Sequence, residues 1–174
     1  MNDINKARVK YKPENIKYLL VAETPPKSNS NRFFYYENVD RQDSLFIETM
    51  KVLYPTEVSN LDIKEVRKRK KYFLEKFKED GFYLIDSIDK PFEEKYSSRQ
   101  KTELIRKEQN NLLTKIINLV DKSTKVILIA ATVHKANYDF LKRNDVKVIN
   151  RELVDFPGSG GQVKYRAKMS ALLE

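Results

Sequence analysis

The stretch IKYLLVAETPP, residues 16–26, decides how the chain is read. Its apolar run, Ile16 to Val21, lies between Pro13 and the pair Pro25-Pro26. Proline lacks an N–H and fixes φ, so it closes regular elements. A run this short, closed in this way, reads as a buried strand that ends just before Glu23. Two later runs repeat the pattern, FYLIDSI at 82–88 and KVILIAA at 125–131, and a shorter one at 146–149 gives a fourth strand. Helix-period segments lie between them. Ser44 can cap a helix that Pro55 ends. Residues 62–80 carry Ile63, Val66, Tyr72, Phe73, Leu74 and Phe77 around the run Arg67-Lys68-Arg69-Lys70-Lys71, and read as one long basic helix stopped by Gly81. Residues 99–120 and 134–142 read as two more, and a last helix closes the chain. Strands alternating with helices pair in parallel and are covered on both faces. The expected fold is α/β: a three-layer α/β/α sandwich around a mainly parallel four-stranded sheet.

A chain of 174 residues with 40% hydrophobic content suits one domain with one core, so 1–174 is expected to be a single unit. Residues 1–13, with Lys6, Arg8, Lys10 and Lys12, read as a basic arm able to meet phosphate, or as a segment that frays. The absence of cysteine excludes disulfides, a thiol nucleophile and thiolate metal sites, and a single histidine leaves no basis for a histidine-held metal. No metal and no cofactor are expected. No apolar run approaches the roughly 18 residues of a membrane span, and the opening residues lack a signal-peptide core, so a soluble cytoplasmic protein is expected. Thirty-four Lys and Arg against 25 Asp and Glu give a charge of +9, which attracts polyanions through counterion release. Without an amphipathic anchor or lipid signal, DNA rather than a membrane is the expected partner. No protein partner is implied, and a monomer is expected.

Parallel sheets bind ligands beyond the carboxyl ends of their strands, which directs attention to residues 23–26, 86–91, 131–134 and 150–162. The segments there follow a definite order. Ala22-Glu23-Thr24-Pro25-Pro26 closes the first strand, and Arg32-Phe33-Phe34-Tyr35-Tyr36 lies in the long loop after it. FYLIDSIDKP at 82–91 joins the second strand to a proline-containing loop. A strand and helix follow at 126–141, and Phe156-Pro157-Gly158-Ser159 precedes the last helix. In this order, over nearly the whole chain, the segments resemble the motifs of the uracil-DNA glycosylase superfamily.

The resemblance implies a DNA glycosylase that extrudes a damaged or modified base, uracil or a modified cytosine, and hydrolyses its N-glycosidic bond with water to leave an abasic site. Base repair and attack on foreign modified DNA are both compatible settings. By the resemblance, Glu23 orients the water and places negative charge near the developing sugar cation, where a strand-end carboxylate bonded to nearby backbone is the bland alternative. Phe34 stacks on the base, with Phe33, Tyr35 and Tyr36 as rivals and anchoring of the loop as the competing role. Arg32, Lys90, His134, Ser159, Gln162 and Lys164 are the candidate DNA contacts, Gln162 filling the vacated stack. For His134 the alternative is capping or packing.

Two positions depart from the family pattern. Asp86 stands where the family has an asparagine, and an ionised carboxylate only accepts hydrogen bonds. It therefore suits an exocyclic amine, a protonated Asp86 brings uracil back, and pairing with backbone or arginine away from any base is the competing reading. Phe156 stands in place of a histidine and cannot donate. Either another group supplies that donor or catalysis is slow or absent, leaving a non-catalytic DNA-binding relative. An unrelated sandwich enzyme acting on a nucleotide is a third possibility.

Overall fold

The computed structural model describes residues 3–174, except the side chain of Ser28. Met1 and Asn2, the start of the expected arm, lie outside the described residues. In chain order the elements are α1 (Asp3–Lys10), β1 (Tyr18–Ala22), α2 (Ser44–Leu53), α3 (Pro55–Val58), α4 (Ile63–Lys68), α5 (Lys70–Glu79), β2 (Phe82–Asp86), α6 (Ser98–Lys107), α7 (Gln109–Leu119), β3 (Lys125–Leu128), α8 (Ala131–Arg143) and α9 (Gln162–Leu173). The three strands form one open parallel sheet in the order β2-β1-β3. Its strands are almost wholly buried, as expected of a parallel sheet flanked by helices. Helices α5 and α8 pack against the sheet, α6 and α7 against α8, and α2 against α9, where the Thr49 and Tyr165 hydroxyls meet at 2.7 Å.

The expected fourth strand does not form. Residues 146–149 contribute one isolated bridge, Val126 to Val148, with Val126 N donating to Lys147 O and Ile149 N donating to Val126 O, both at 2.9 Å. One step along β3 the side chain of Asn150 takes over, accepting from Leu128 N and donating to Leu128 O, each at 2.9 Å. A carboxamide carries the same donor and acceptor as a peptide, so it satisfies the sheet edge without a strand. The opposite edge is closed by the Tyr35 hydroxyl, which accepts from Leu84 N at 2.6 Å and donates to Leu84 O at 3.1 Å. Each edge thus carries partners outside the sheet, backbone and Asn150 on β3 and the Tyr35 hydroxyl on β2, which blunts a template for intermolecular pairing.

Four further expectations are corrected. The long basic helix at 62–80 is two helices, broken at Arg69 (φ −97°, ψ 16°), and the one expected at 99–120 is broken at Glu108 (φ −95°, ψ 6°). Capping boxes start α4 (Asp62 with Glu65) and α6 (Ser97 with Gln100), while Ser44 is the first residue of α2 rather than its cap. Gly81 does end the helical stretch, with φ 84°, and a Cβ there would stand 2.8 Å from Lys17 Cγ. The basic arm is helix α1, docked on the body. Its Arg8 is 9% exposed, Lys10 pairs with Glu37, Tyr11 donates to the same carboxylate at 2.5 Å, and Lys78 Nζ donates to Lys10 O at 3.1 Å. Arg8 is therefore not free to meet phosphate.

Lys70 is fully buried, its Nζ donating to Phe33 O at 3.5 Å and lying 4.5 Å from the Phe46 ring centroid. Burial pushes its pKa from 10.5 down to about 8, although Asp43 opposes the shift. The unfolded chain holds this proton to higher pH than the folded one, so folding releases a proton between about 8 and 10.5 and stability rises with pH across that window. Lys70→Met is accordingly expected to stabilise the protein at pH 7 by about 2 kcal/mol. That corresponds to roughly 5 °C in Tm. Calorimetry from pH 6 to 10 should show the gain shrinking as pH rises, and a lower Tm at pH 7 would mean that the bond to Phe33 outweighs the burial penalty.

Candidate functional site

A cavity of about 500 Å³ opens at the carboxyl ends of β1 and β2, a size within the range usual for ligand sites. Its walls include Glu23 to Pro26, Arg32, Asp43, Asp86, Lys101 and Phe156, with Phe33, Phe34 and Phe46 as an apolar surface. The sheet register explains how the first two carboxylates meet. Ala22 stands opposite Asp86, Ser87 N and Oγ both donate to Ala22 O at 2.8 Å, and Ile88 N donates to Glu23 O at 3.2 Å. Glu23 and Asp86 therefore leave adjoining strands one residue apart.

Glu23 is held from two sides. Thr132 Oγ1 donates to Oε2 at 2.5 Å and Lys101 Nζ pairs with Oε1 at 3.1 Å. Thr132 belongs to the first turn of α8, entered through Ala130 at φ 82°, a left-handed conformation that strains any residue with a Cβ. Lys101 lies in the first turns of α6, which the Ser97 capping box positions.

Asp86 is 3% exposed, and its Oδ2 accepts from Arg8 Nη2 at 2.6 Å. The Arg8 guanidinium sits 5.3 Å from the Phe33 ring centroid, so α1 packs charge onto an aromatic face while neutralising the carboxylate. Lys115 donates to the Asp86 carbonyl at 2.8 Å and to Asp89 at 2.9 Å. Burial raises the Asp86 pKa from 3.8 to about 6, with Arg8 and Lys115 pulling it down and Asp89 pushing it up. Asp86 Oδ1 makes no hydrogen bond to another described residue.

Asp43, just ahead of α2, repeats this arrangement. It is 4% exposed, and its Oδ1 accepts from both Nε and Nη2 of Arg67, at 3.0 and 2.7 Å. Its Oδ2 is buried and has no partner among the described residues. An orphaned polar atom of this kind costs about 1–3 kcal/mol, more when charged.

Phe34 is buried edge-on against Tyr35 and Phe46, 5.0 and 5.6 Å between centroids, while Phe156 is 47% exposed at the rim. The structure thus brings together Glu23, Arg32, Phe34, Asp86 and Phe156. Arg32 also donates to the Gln42 side chain. Lys90, Ser159, Gln162 and Lys164 do not line this cavity, nor does His134, which stacks on Tyr138 and places Nε2 3.1 Å from Asn150 O. The packing reading of His134 accounts for those contacts. Of the aromatic quartet, Tyr35 serves the sheet edge and Phe33 lies under Arg8. Sequence reasoning missed Arg8, Lys101, Asp43 and Thr132. A hydroxyl one residue into the helix after β3 was a usable signal for Thr132, since such a position faces the neighbouring strand's end.

Among the described residues no cluster of three His, Asp or Glu side chains is arranged to hold a metal ion, and no helix is long and apolar enough to cross a membrane. Compared with protein-family models, with curated proteins and with solved structures, the chain finds no match.

Proposed function

We propose that this chain is a monofunctional DNA glycosylase of the kind its motifs resemble, a three-layer α/β/α domain that holds one extruded base in the cavity and hydrolyses its N-glycosidic bond. The observation that carries the reading is the convergence of Glu23, Phe34, Asp86 and Phe156, from four separate segments, on one cavity at the strand ends. The +9 charge supports a DNA partner. In this reading the apolar surface of Phe33, Phe34 and Phe46 receives the face of the base, Asp86 Oδ1 reads its edge, and Arg32 and Lys101 meet flanking phosphate. Glu23 supplies negative charge to the sugar cation and orients water, without metal or cofactor.

The test is direct. The protein is incubated with duplexes carrying uracil, hypoxanthine or modified cytosines, and abasic sites are then cleaved with alkali. Strand cleavage at the modified position is the expected result, and its absence in every duplex overturns the hydrolytic reading. A second reading, a DNA-binding relative without chemistry, is favoured by one observation: both Glu23 oxygens are already engaged by Thr132 and Lys101. It requires salt-dependent DNA binding with no cleavage.

Asp86 makes the selectivity depend on pH. Below about 6 its carboxyl is protonated and can donate to a carbonyl, as uracil needs; above that it only accepts, as an exocyclic amine needs. Arg8 and Lys115 favour the ionised form, and Asp89 opposes it. The ratio of uracil to cytosine-type excision is expected to fall about tenfold from pH 5 to pH 7. Asp86→Asn should flatten that dependence, and an unchanged slope in the variant removes Asp86 from base reading.

A further inference from the structure

We infer that Asp43 is a second ligand-contacting acceptor in the cavity, and that the occupant is a neutral heterocycle with N–H donors on two separate edges, one for Asp43 and one for Asp86. The inference rests on the cavity being the ligand site and deepens that reading by naming the class of base. Two buried carboxylates line the same space, and each is half used. Asp86 gives Oδ2 to Arg8, Asp43 gives Oδ1 to Arg67, and the remaining oxygen of each has no partner among the described residues. Lys70, the further cation whose charge acts on Asp43, donates instead to Phe33 O. Arginine fixes each carboxylate and leaves one oxygen of each unused, an arrangement that a donor-rich ligand completes.

Charge decides between a neutral and a cationic occupant. Glu23, Asp43 and Asp86 are matched by Lys101, Arg67 and Arg8. Arg32 on the wall and Lys70 behind it add positive charge. An aliphatic amine or polyamine therefore meets repulsion, whereas an amino-substituted ring offers donors without charge and lies against Phe33, Phe34 and Phe46. Uracil, with carbonyls on both sides of its single ring N–H, sets acceptor against acceptor.

The experiment titrates the full chain at pH 7.5 with purine, adenine and 2,6-diaminopurine, following affinity by calorimetry and backbone amide shifts by NMR. Each added amino group is expected to tighten binding roughly tenfold, the size of a hydrogen bond to a charged acceptor. Asp43→Asn should cancel one step and Asp86→Asn the other, and diaminopurine should shift the amides of both Asp43-Ser44 and Asp86-Ser87. The inference is overturned if diaminopurine binds no tighter than purine, or if Asp43→Asn leaves both steps intact. Should Asp43→Asn fail to fold, the wild-type affinity series and the shifts at Asp43-Ser44 still decide the matter. Graded base binding without excision in any duplex, one carrying 2,6-diaminopurine included, keeps this inference and removes the hydrolytic reading, and excision without graded binding does the reverse.

Discussion

Arg8→Met is expected to lower the stability of the fold by about 3–5 kcal/mol, because it leaves the Asp86 carboxylate buried without its partner. For a chain of this length that corresponds to a fall of roughly 10 °C in Tm. Methionine keeps most of the aliphatic volume under the guanidinium, so the change reports charge rather than a cavity. Arg8 holds the Asp86 pKa down against burial. Without it the folded-state value climbs above about 6 while the unfolded value stays near 3.8. Folding of the variant then takes up a proton between those limits, so its stability is greatest below the unfolded pKa and is lost as pH rises through the folded one. Thermal melts at pH 5 and 8 should show the deficit mainly at pH 8. Adding Asp86→Asn should recover much of it, because a neutral amide needs no counter-charge. A variant as stable as the parent at pH 8 would show that the pair contributes nothing to the fold.

The buried strands were legible because their residues are apolar on both faces, and short runs closed by proline or glycine admit few other readings. The fourth strand was misread for a physical reason: 146–149 carries strand-like residues, yet the ladder continues through the Asn150 side chain, and no pattern of hydrophobicity encodes a carboxamide standing in for a peptide. The long basic helix is broken at Arg69, and the residue after the break, Lys70, is the one whose place the pattern hides. A lysine counts as polar in any periodic reading, whereas this one is fully buried on the core face of α5 beside Phe73, Leu74 and Phe77. The site divides the same way. Glu23 and Asp86 were found because strand ends in a parallel sheet are where ligands bind, and the register sets them side by side. Their cations were not, since nothing local marks Arg8, separated by 78 residues from Asp86, among 34 Lys and Arg. Asp43 escapes because the pattern gives the cap to Ser44 and leaves Asp43 in the polar loop before it, whereas its buried side chain turns to Arg67.

Glu23→Gln is expected to reduce excision by about 10²- to 10⁴-fold at the chemical step while leaving the fold and DNA affinity almost unchanged. The substitution keeps the shape and the bond from Thr132 but removes the negative charge facing the developing sugar cation. It also frees Lys101, whose ammonium would then stand near that cation with nothing to offset it, so the loss should sit toward the upper end of the range. Glu23 is partly solvent-exposed, and its bonds to Thr132 and Lys101 lie at the cavity wall, so its contribution to stability is small and a large effect on rate cannot come from unfolding. Single-turnover rates separate chemistry from product release, and duplex affinity measured at two salt concentrations separates both from binding. A variant that loses rate and keeps its salt-dependent affinity places Glu23 in the hydrolysis. If the rate is undiminished, the carboxylate is only a structural partner of Thr132 and Lys101, and the negative charge that the chemistry needs has to come from Asp43 or Asp86 on the same cavity wall.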